Sequence, residues 1–374
     1  MITKKFKSNM LFITTSPFYD EKGSSLRSYS ILKKLSFKFK IDVVTYSLGR
    51  NPPGIKNITL SRTPSFFKPR LKPNIISFGK IILDVLIFYK ICILLVKNKY
   101  DVIHCEDFEA SLIIYICSKL FLTKKSKIVY SIHNRINDNI KLNNFKFFTK
   151  ISNISNYFEK KIIANSNLII LNWKKYQTHK VFTSKRTIML YDPIKLDIST
   201  LKNNNENYLV YCGNFEDYQK IDFFLKAFHK SKCKFKLYLI GDVSFKIKQL
   251  IKILNLQDRV LLLGKLSVED TNFYIYNSVA GILPRESGSS MKVIHYLVFN
   301  KPVIAKNSPS NRELLSHLEN ALLYNSFEEL TQILNQINFK LIKELEKNTI
   351  NTKKLFLDNW DDKEFLKKYL NNLI

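Results

Sequence analysis

Residues 283–305, LPRESGSSMKVIHYLVFNKPVIA, constrain the fold of this chain more than any other stretch. A short apolar run at 279–283 leads into a Gly/Ser loop. An apolar-faced segment at 291–298 has helical length, and Asn-Lys-Pro then precedes a second apolar run at 303–305. Strand, loop, helix and strand in that order form a βαβ element, which requires a parallel sheet and a right-handed crossover. The helix N-terminus at such a crossover carries N–H groups without intrahelical partners, so the loop before it suits an anion. Glu286, at the strand's end, is placed to accept hydrogen bonds from neutral hydroxyls, while Gly288, Ser289 and Ser290 let backbone amides approach phosphate oxygens. A capped helix in an ordinary α/β layer is the alternative reading of the same residues.

The rest of the chain repeats this alternation. Strands are expected at 10–15, 41–46, 127–132, 208–212, 235–241 and 260–264. Helices are expected at 25–37, 221–230, 245–254 and 267–277. With 374 residues and 45% hydrophobic content there is material for two cores. The Asn-rich run at 203–207 has no apolar anchor and reads as a linker. The expected organisation is an N-terminal Rossmann-like domain over 1–200, a C-terminal one over 201–354, and a helical tail over 355–374. Asp361 and Asp362 in that tail read as surface residues.

Pro284-Arg285-x-x-Gly288, Ser290-x-Lys292-x-x-x-Tyr296-Leu297 and Lys301-Pro-Val-Ile-Ala305 resemble the donor-site signature of the family-4 glycosyltransferases. That resemblance implies the GT-B fold, two Rossmann-like doubly wound domains facing a cleft, with the tail helix crossing back to the first domain. It assigns the donor sugar to Glu286 and the diphosphate to the loop from Gly288 through Ser289 and Ser290 to Met291, with Arg285 and Lys292 beside it. The family's second glutamate, which holds the ribose, is replaced here by Ile294 at the family spacing, or by His295 as the structural equivalent. In GNFEDYQKIDFFLKAF the family's diphosphate-clamping Arg and Lys correspond to Asn214, after Gly213, and to Lys220. The segments GKIILD, KYDVIHCED and SIHNRINDNIKLNNF are similar to first-domain motifs of a subgroup, and they place His133 at the cleft as a catalytic candidate beside Glu286. His104 reads as structural. Gly23 and Arg27 in GSSLR match the loop after the first strand, where the family approaches donor and acceptor; Ser24 or Ser25 as a plain helix cap is the alternative.

Charge is unevenly spread. Residues 1–200 hold 35 Lys and Arg against 12 Asp and Glu, and residues 201–374 hold 25 against 19, so +23 of the net +29 lies in the first part. An anionic membrane surface is therefore a candidate partner, against the alternative of a solvated Lys-rich surface. Phe66, Phe67, Lys68 and Arg70 in PSFFKPRLKP form a candidate membrane or acceptor loop, as do residues 141–150; rings that turn back into the core are the alternative. No nucleic-acid-binding motif surrounds these segments. The longest apolar stretch, 75–96, contains Lys80, Asp84 and Lys90, each costing roughly 2.5–3.5 kcal/mol at mid-bilayer, and reads as a helix buried on most sides rather than a membrane span.

Five scattered cysteines without a CxxC pair suggest reduced thiols and a cytoplasmic setting, peripheral on the inner face of the plasma membrane if the basic part binds lipid. No metal-ligand spacing occurs, so neither metal nor cofactor is expected. The expectation is a retaining, metal-independent transferase that uses a nucleotide diphosphate sugar and a cell-envelope glycan or lipid-linked acceptor. A non-catalytic sugar-nucleotide or membrane-surface binder on the same scaffold is the alternative, and a nucleic-acid-binding protein a third.

Overall fold

The computed structural model describes residues 8–19, 23–66, 68–69, 78–123, 125–133, 147–177, 182, 185–191, 193, 206–286, 291–359 and 361–373. Its chain forms two compact units, Met1–Pro193 with Trp360–Ile374, and Ile194–Asn359.

The first unit is a parallel sheet of β1 (Ser8–Thr14), β2 (Phe39–Thr45), β3 (Ile58–Arg62), β4 (Val102–Glu106), β5 (Lys127–Ile132), β6 (Leu168–Leu171) and β7 (Thr187–Met189). The order across the sheet is β3-β2-β1-β4-β5-β6-β7. The connecting helices are α1 (Gly23–Leu35), α2 (Phe78–Lys97), α3 (Asp107–Lys119), α4 (Phe147–Asn165) and α5 (Lys174–Gln177). Both faces of the sheet are covered, so its strands are apolar runs and the two-residue period assigns each side chain to a face. Met10 and Phe12 pack with Ile31 and Leu32 of α1 and with Phe365 and Tyr369 of the final helix, Asp362–Leu373. Leu11 and Ile13 point the other way, onto Leu83, Ile87 and Ile91 of α2 and Ala110 and Ile114 of α3.

The second unit contains β8 (Tyr208–Cys212), β9 (Lys236–Ile240), β10 (Val260–Gly264), β11 (Ala280–Leu283), β12 (Val303–Lys306) and β13 (Ala321–Tyr324), again all parallel, in the order β10-β9-β8-β11-β12-β13. Its helices are α6 (Ile221–Lys230), α7 (Phe245–Ile253), α8 (Val268–Asn277), α9 (Met291–Val298), α10 (Phe327–Gln336) and α11 (Phe339–Asn359); the final helix is α12. Gly281 in β11 is what lets α9 lie close to the sheet. A Cβ there would meet the ring of Tyr296, whose hydroxyl reaches over to accept from the Cys212 amide (3.3 Å). Both units are Rossmann-like doubly wound layers, as the alternation of the sequence predicts. Each sheet reverses strand order once, between β1 and β4 and between β8 and β11, and ligands of such sheets bind at the strand C-termini there.

The reading of the long apolar stretch needs correction. The 75–96 segment is not buried on most sides. Its helix, α2, buries Leu83, Ile87, Ile91 and Leu95 and exposes Ile81, Val85, Tyr89, Ile93 and Val96 on the opposite face. Both stripes are apolar, so hydropathy does not distinguish them. No described helix is long and apolar enough to cross a membrane. Asp361 and Asp362 are exposed, as expected of surface residues. Asp361 accepts from the amides of Lys363 and Glu364, both at 3.0 Å, to cap α12, and Asp362 pairs with Lys34 of α1.

Candidate functional site

At the β1/β4 switch point, a buried polar chain runs along the strand ends. His104 and Glu106 are two apart on β4, so their side chains share a face. Phe12, opposite His104 in the β1 register, stacks on the imidazole with centroids 4.7 Å apart. Tyr369 of α12 meets His104 Nδ1 at 3.0 Å, His104 Nε2 meets Glu106 Oε1 at 2.7 Å, and Glu106 Oε2 meets His133 Nε2 at 2.5 Å. Ser28 of α1 adds a hydroxyl donor to the same carboxylate oxygen at 3.3 Å. His133, at the end of β5, is further fixed by its amide donating to Asp107 Oδ1 (3.2 Å) and by its carbonyl accepting from Asn172 (2.7 Å). Asp107 opens α3 at φ +70°, a left-handed conformation uncommon for a residue other than glycine.

Electrostatics follow from this geometry. Burial works against ionising Glu106, but hydrogen bonds from His104 and His133 outweigh it and hold its carboxyl well below the usual range. Burial also opposes a charge on His133, yet Asp107 and Glu106 raise its pKa above the ordinary histidine value despite the opposing Arg27. The Asp107 carboxyl is raised, chiefly by burial. Each partner therefore favours the charged form of the other inside the protein. His133 Nε2 is taken up by its contact with Glu106 Oε2.

At the β8/β11 switch point the second unit gathers cations. Lys292, in the first turn of α9, donates to Tyr211 Oη (2.7 Å) and to Gln219 Oε1 (3.0 Å), with its Nζ 4.2 Å from the Tyr211 ring centre. Gly213 makes room for it: φ is +144°, and a Cβ would strike the Lys292 side chain. Burial, and then the neighbouring Arg285, push the Lys292 ammonium down to about 7 from its ordinary 10.5. Arg285 is itself buried, and its pKa is lowered for that reason. Two cations crowded together, with no acid among the described residues bonded to Lys292, make a site suited to phosphate. His295, one helical turn on, is paired through Nε2 with Asn272 Oδ1 (2.7 Å), and burial lowers its pKa to about 4, so it is neutral at pH 7.

The sequence-predicted residues fall into three groups. Arg285, Met291, Lys292, His295 and Gly213 gather around the N-terminal turn of α9 and the end of β8, and Glu286 is exposed at the end of β11. Asn214 is exposed and bonds Tyr218 Oη (3.0 Å), while Lys220 is exposed at φ +55°, between a short 3-10 turn and α6. In the first unit, His133 joins the buried chain and Gly23 opens α1. Arg27 is fully buried, donating to the Leu190 carbonyl (2.6 Å), which removes it from any membrane face and leaves its charge near His133. Phe66 and Lys68 are exposed; Phe67, Arg70, Gly288, Ser289 and Ser290 lie outside the described residues, as do 141–146 of the second candidate loop, whose last residues 147–150 begin α4. Sequence reasoning missed Glu106 as the hub and Tyr369 as its support. The His-x-Glu spacing on a strand was the available signal for the former, and nothing local marks the latter.

Residues 194–369 match the family described as glycosyl transferases group 1. N-acetyl-alpha-D-glucosaminyl L-malate synthase of Bacillus anthracis is 25% identical over 178 residues, 45% of this chain and 47% of the relative, so the chain spans about half the length of the curated relative it matches. Among solved structures, sucrose-phosphate synthase from Thermosynechococcus elongatus superposes with a TM-score of 0.73 at 16% identity, covering 97% of this chain and 99% of that one. Anabaena Alr3699/HepE in complex with UDP and glucose gives 0.67 at 17% identity, covering 98% and 99%. At these identities the likeness is one of fold, and the fold is that of the GT-B glycosyltransferases.

Proposed function

We propose that this chain is a retaining glycosyltransferase that moves a sugar from a nucleotide diphosphate sugar to a cell-envelope glycan or lipid-linked acceptor, without a resident metal. The observation that carries the reading is the pair Lys292 and Arg285 at the strand-order reversal, within the segment that matches the group 1 family. Such transfer must stabilise negative charge growing on a departing diphosphate and positive charge on the sugar. A phosphate beside Lys292 restores its proton, and the resulting ammonium, with Arg285 and the amides of the 288–291 loop, neutralises the leaving group. Glu286 accepts from sugar hydroxyls. His295 donates through Nε2 to Asn272, which leaves Nδ1 as an acceptor for a ribose hydroxyl where the family uses a carboxylate. His133, the catalytic candidate of the first unit, is held toward its charged form by Asp107 and Glu106. Five free cysteines accord with a cytoplasmic setting.

The test is to incubate the protein with UDP-, GDP-, ADP- and dTDP-sugars and envelope lipid extracts, and to measure nucleotide release with and without acceptor. Acceptor-dependent release from one donor, unchanged by EDTA and lost in Glu286→Ala with the fold intact, is the expected result. A second reading, a non-catalytic sugar-nucleotide binder, is favoured by Asn214, which stands where the family clamps phosphate with Arg and is bonded to Tyr218. It requires donor binding by calorimetry with no release under any acceptor condition.

A further inference from the structure

We propose that the outer face of α2, with the end of α3 beside it, docks on an anionic lipid bilayer. A helix on a doubly wound sheet ordinarily turns one apolar stripe inward and a polar face to water. Here α2 has a second apolar stripe: Phe78, Ile81, Val85, Tyr89, Ile93 and Val96 follow one another at spacings of three and four, and Phe78, Tyr89 and Val96 are 79%, 63% and 73% exposed. The stripe runs the full length of the helix, on the order of 30 Å for 20 residues.

Apart from Lys97 at its end, the charged residues of α2 do not interrupt it, because they are drawn inward. Asp84 accepts from the Tyr46 hydroxyl, Lys80 pairs with Glu109 of α3, and Lys90 donates to the Arg62 carbonyl at 2.5 Å. That last bond also ties α2 to the end of β3, four residues before the exposed Phe66 and close in sequence to the exposed Lys68. On the other side, Cys92 of α2 lies 3.9 Å from Cys117 of α3, next to exposed Ile116 and Leu120, which extend the apolar surface.

Charge identifies the partner. Among the described residues from 78 to 127, Lys97, Lys99, Lys119, Lys125 and Lys127 are exposed, against Asp101 as the exposed acid. Lys97 and Lys119 end α2 and α3, and Lys127 begins β5, so these cations lie toward the end of the sheet at which its parallel strands begin, beside one end of the stripe. A second copy of this face would offer these lysines Asp101 as its exposed acid among the described residues 78–127, too little to neutralise them. An anionic bilayer accepts the rings and aliphatic side chains among its acyl chains and neutralises the lysines at its headgroups. The proposal does not depend on what the switch-point residues catalyse.

The test is flotation of the full chain with phosphatidylcholine vesicles and with vesicles containing about 30% phosphatidylglycerol, with solution mass followed in parallel. Expected are binding to the anionic vesicles only, weakening as salt rises from about 0.1 to about 0.5 M, and a loss of about tenfold or more in Tyr89→Ser/Ile93→Ser/Val96→Ser. These positions are exposed, and an unchanged circular dichroism melt identifies the variant as folded. A smaller, salt-sensitive loss is expected for Lys97→Glu/Lys119→Glu. Wild-type protein that floats with neither vesicle overturns the proposal, as does undiminished binding by the folded triple variant. A concentration-dependent dimer dissolved by the triple variant, without vesicle binding, assigns the face to a second copy instead and equally overturns it.

Discussion

Lys292 should take up a proton when a phosphate-bearing ligand binds. Burial and the nearby Arg285 hold its ammonium down to about 7, whereas the negative charge of a diphosphate at the same place offsets both and returns it toward the ordinary 10.5. At pH 8 a group of pKa 7 keeps its proton in roughly one molecule in ten, so uptake on binding should be about 0.9 proton per site. Affinity must fall accordingly as the free site deprotonates: about fivefold from pH 7 to 8, and about tenfold more from 8 to 9, near 1 and 1.4 kcal/mol respectively. The assay is calorimetric titration with a nucleoside diphosphate in two buffers of different ionisation enthalpy, where the difference in apparent heat counts the protons. Lys292→Met should bind weakly, with no uptake and a flat pH dependence. Lys292→Arg, charged throughout, should bind with a flat profile and the strength its geometry allows. Uptake below about 0.2 proton at pH 8 in the wild type, with affinity level from pH 7 to 9, would refute both the depressed ammonium and its contact with phosphate.

The buried chain in the first unit makes its own demands on pH. Glu106 is depressed in the folded state, so its contribution is present above the unfolded carboxyl value and is lost as pH falls below it. His133 is raised, so its contribution is complete below about 6.5 and is lost as pH rises through the folded value. Urea midpoints of the wild type should therefore be highest between about pH 4.5 and 6.5, and Glu106→Gln should flatten both sides. Glu106→Ala, which leaves two imidazoles facing an empty site, should cost about 3–5 kcal/mol at pH 6. Tyr369→Phe removes the hydroxyl at His104 and should cost about 1–2 kcal/mol by the same measurement, with far-ultraviolet dichroism unchanged. Gly281→Ala places a methyl group against the Tyr296 ring and should lower the stability of the second unit by about 1–3 kcal/mol, read as an earlier urea transition.

The α/β alternation was legible because strands covered on both faces must be apolar throughout, and the 283–305 stretch declared its crossover through its loop and Asn-Lys-Pro turn. β3, ITLSR, was not legible: it is an edge strand with a half-exposed pattern and no long apolar run. The two stripes of α2 could not be ranked by hydropathy, since the choice between them depends on which face the sheet meets. Among the candidate site residues, those around α9 could be read together because one contiguous motif carries them. The Glu106 chain was assembled from residues 104, 106, 133 and 369, whose proximity depends on the parallel register of β4 and β5 and the return of α12. Local pattern contains the strand ends; it does not contain which end stands beside which.

The return of α12 also sets a timetable for synthesis. Phe365, Leu366, Tyr369 and Leu373 belong to the same core as Met10, Phe12 and Ile31, yet the whole of Ile194–Asn359 is translated between β7 and α12. At ordinary elongation rates that interval is on the order of ten to thirty seconds. During it, the nascent first unit keeps an open apolar face, and His104 waits for its tyrosine. Chaperone capture and proteolytic sensitivity should therefore persist until α12 has left the ribosome, so a core begun at β1 is closed only after the second unit has been made.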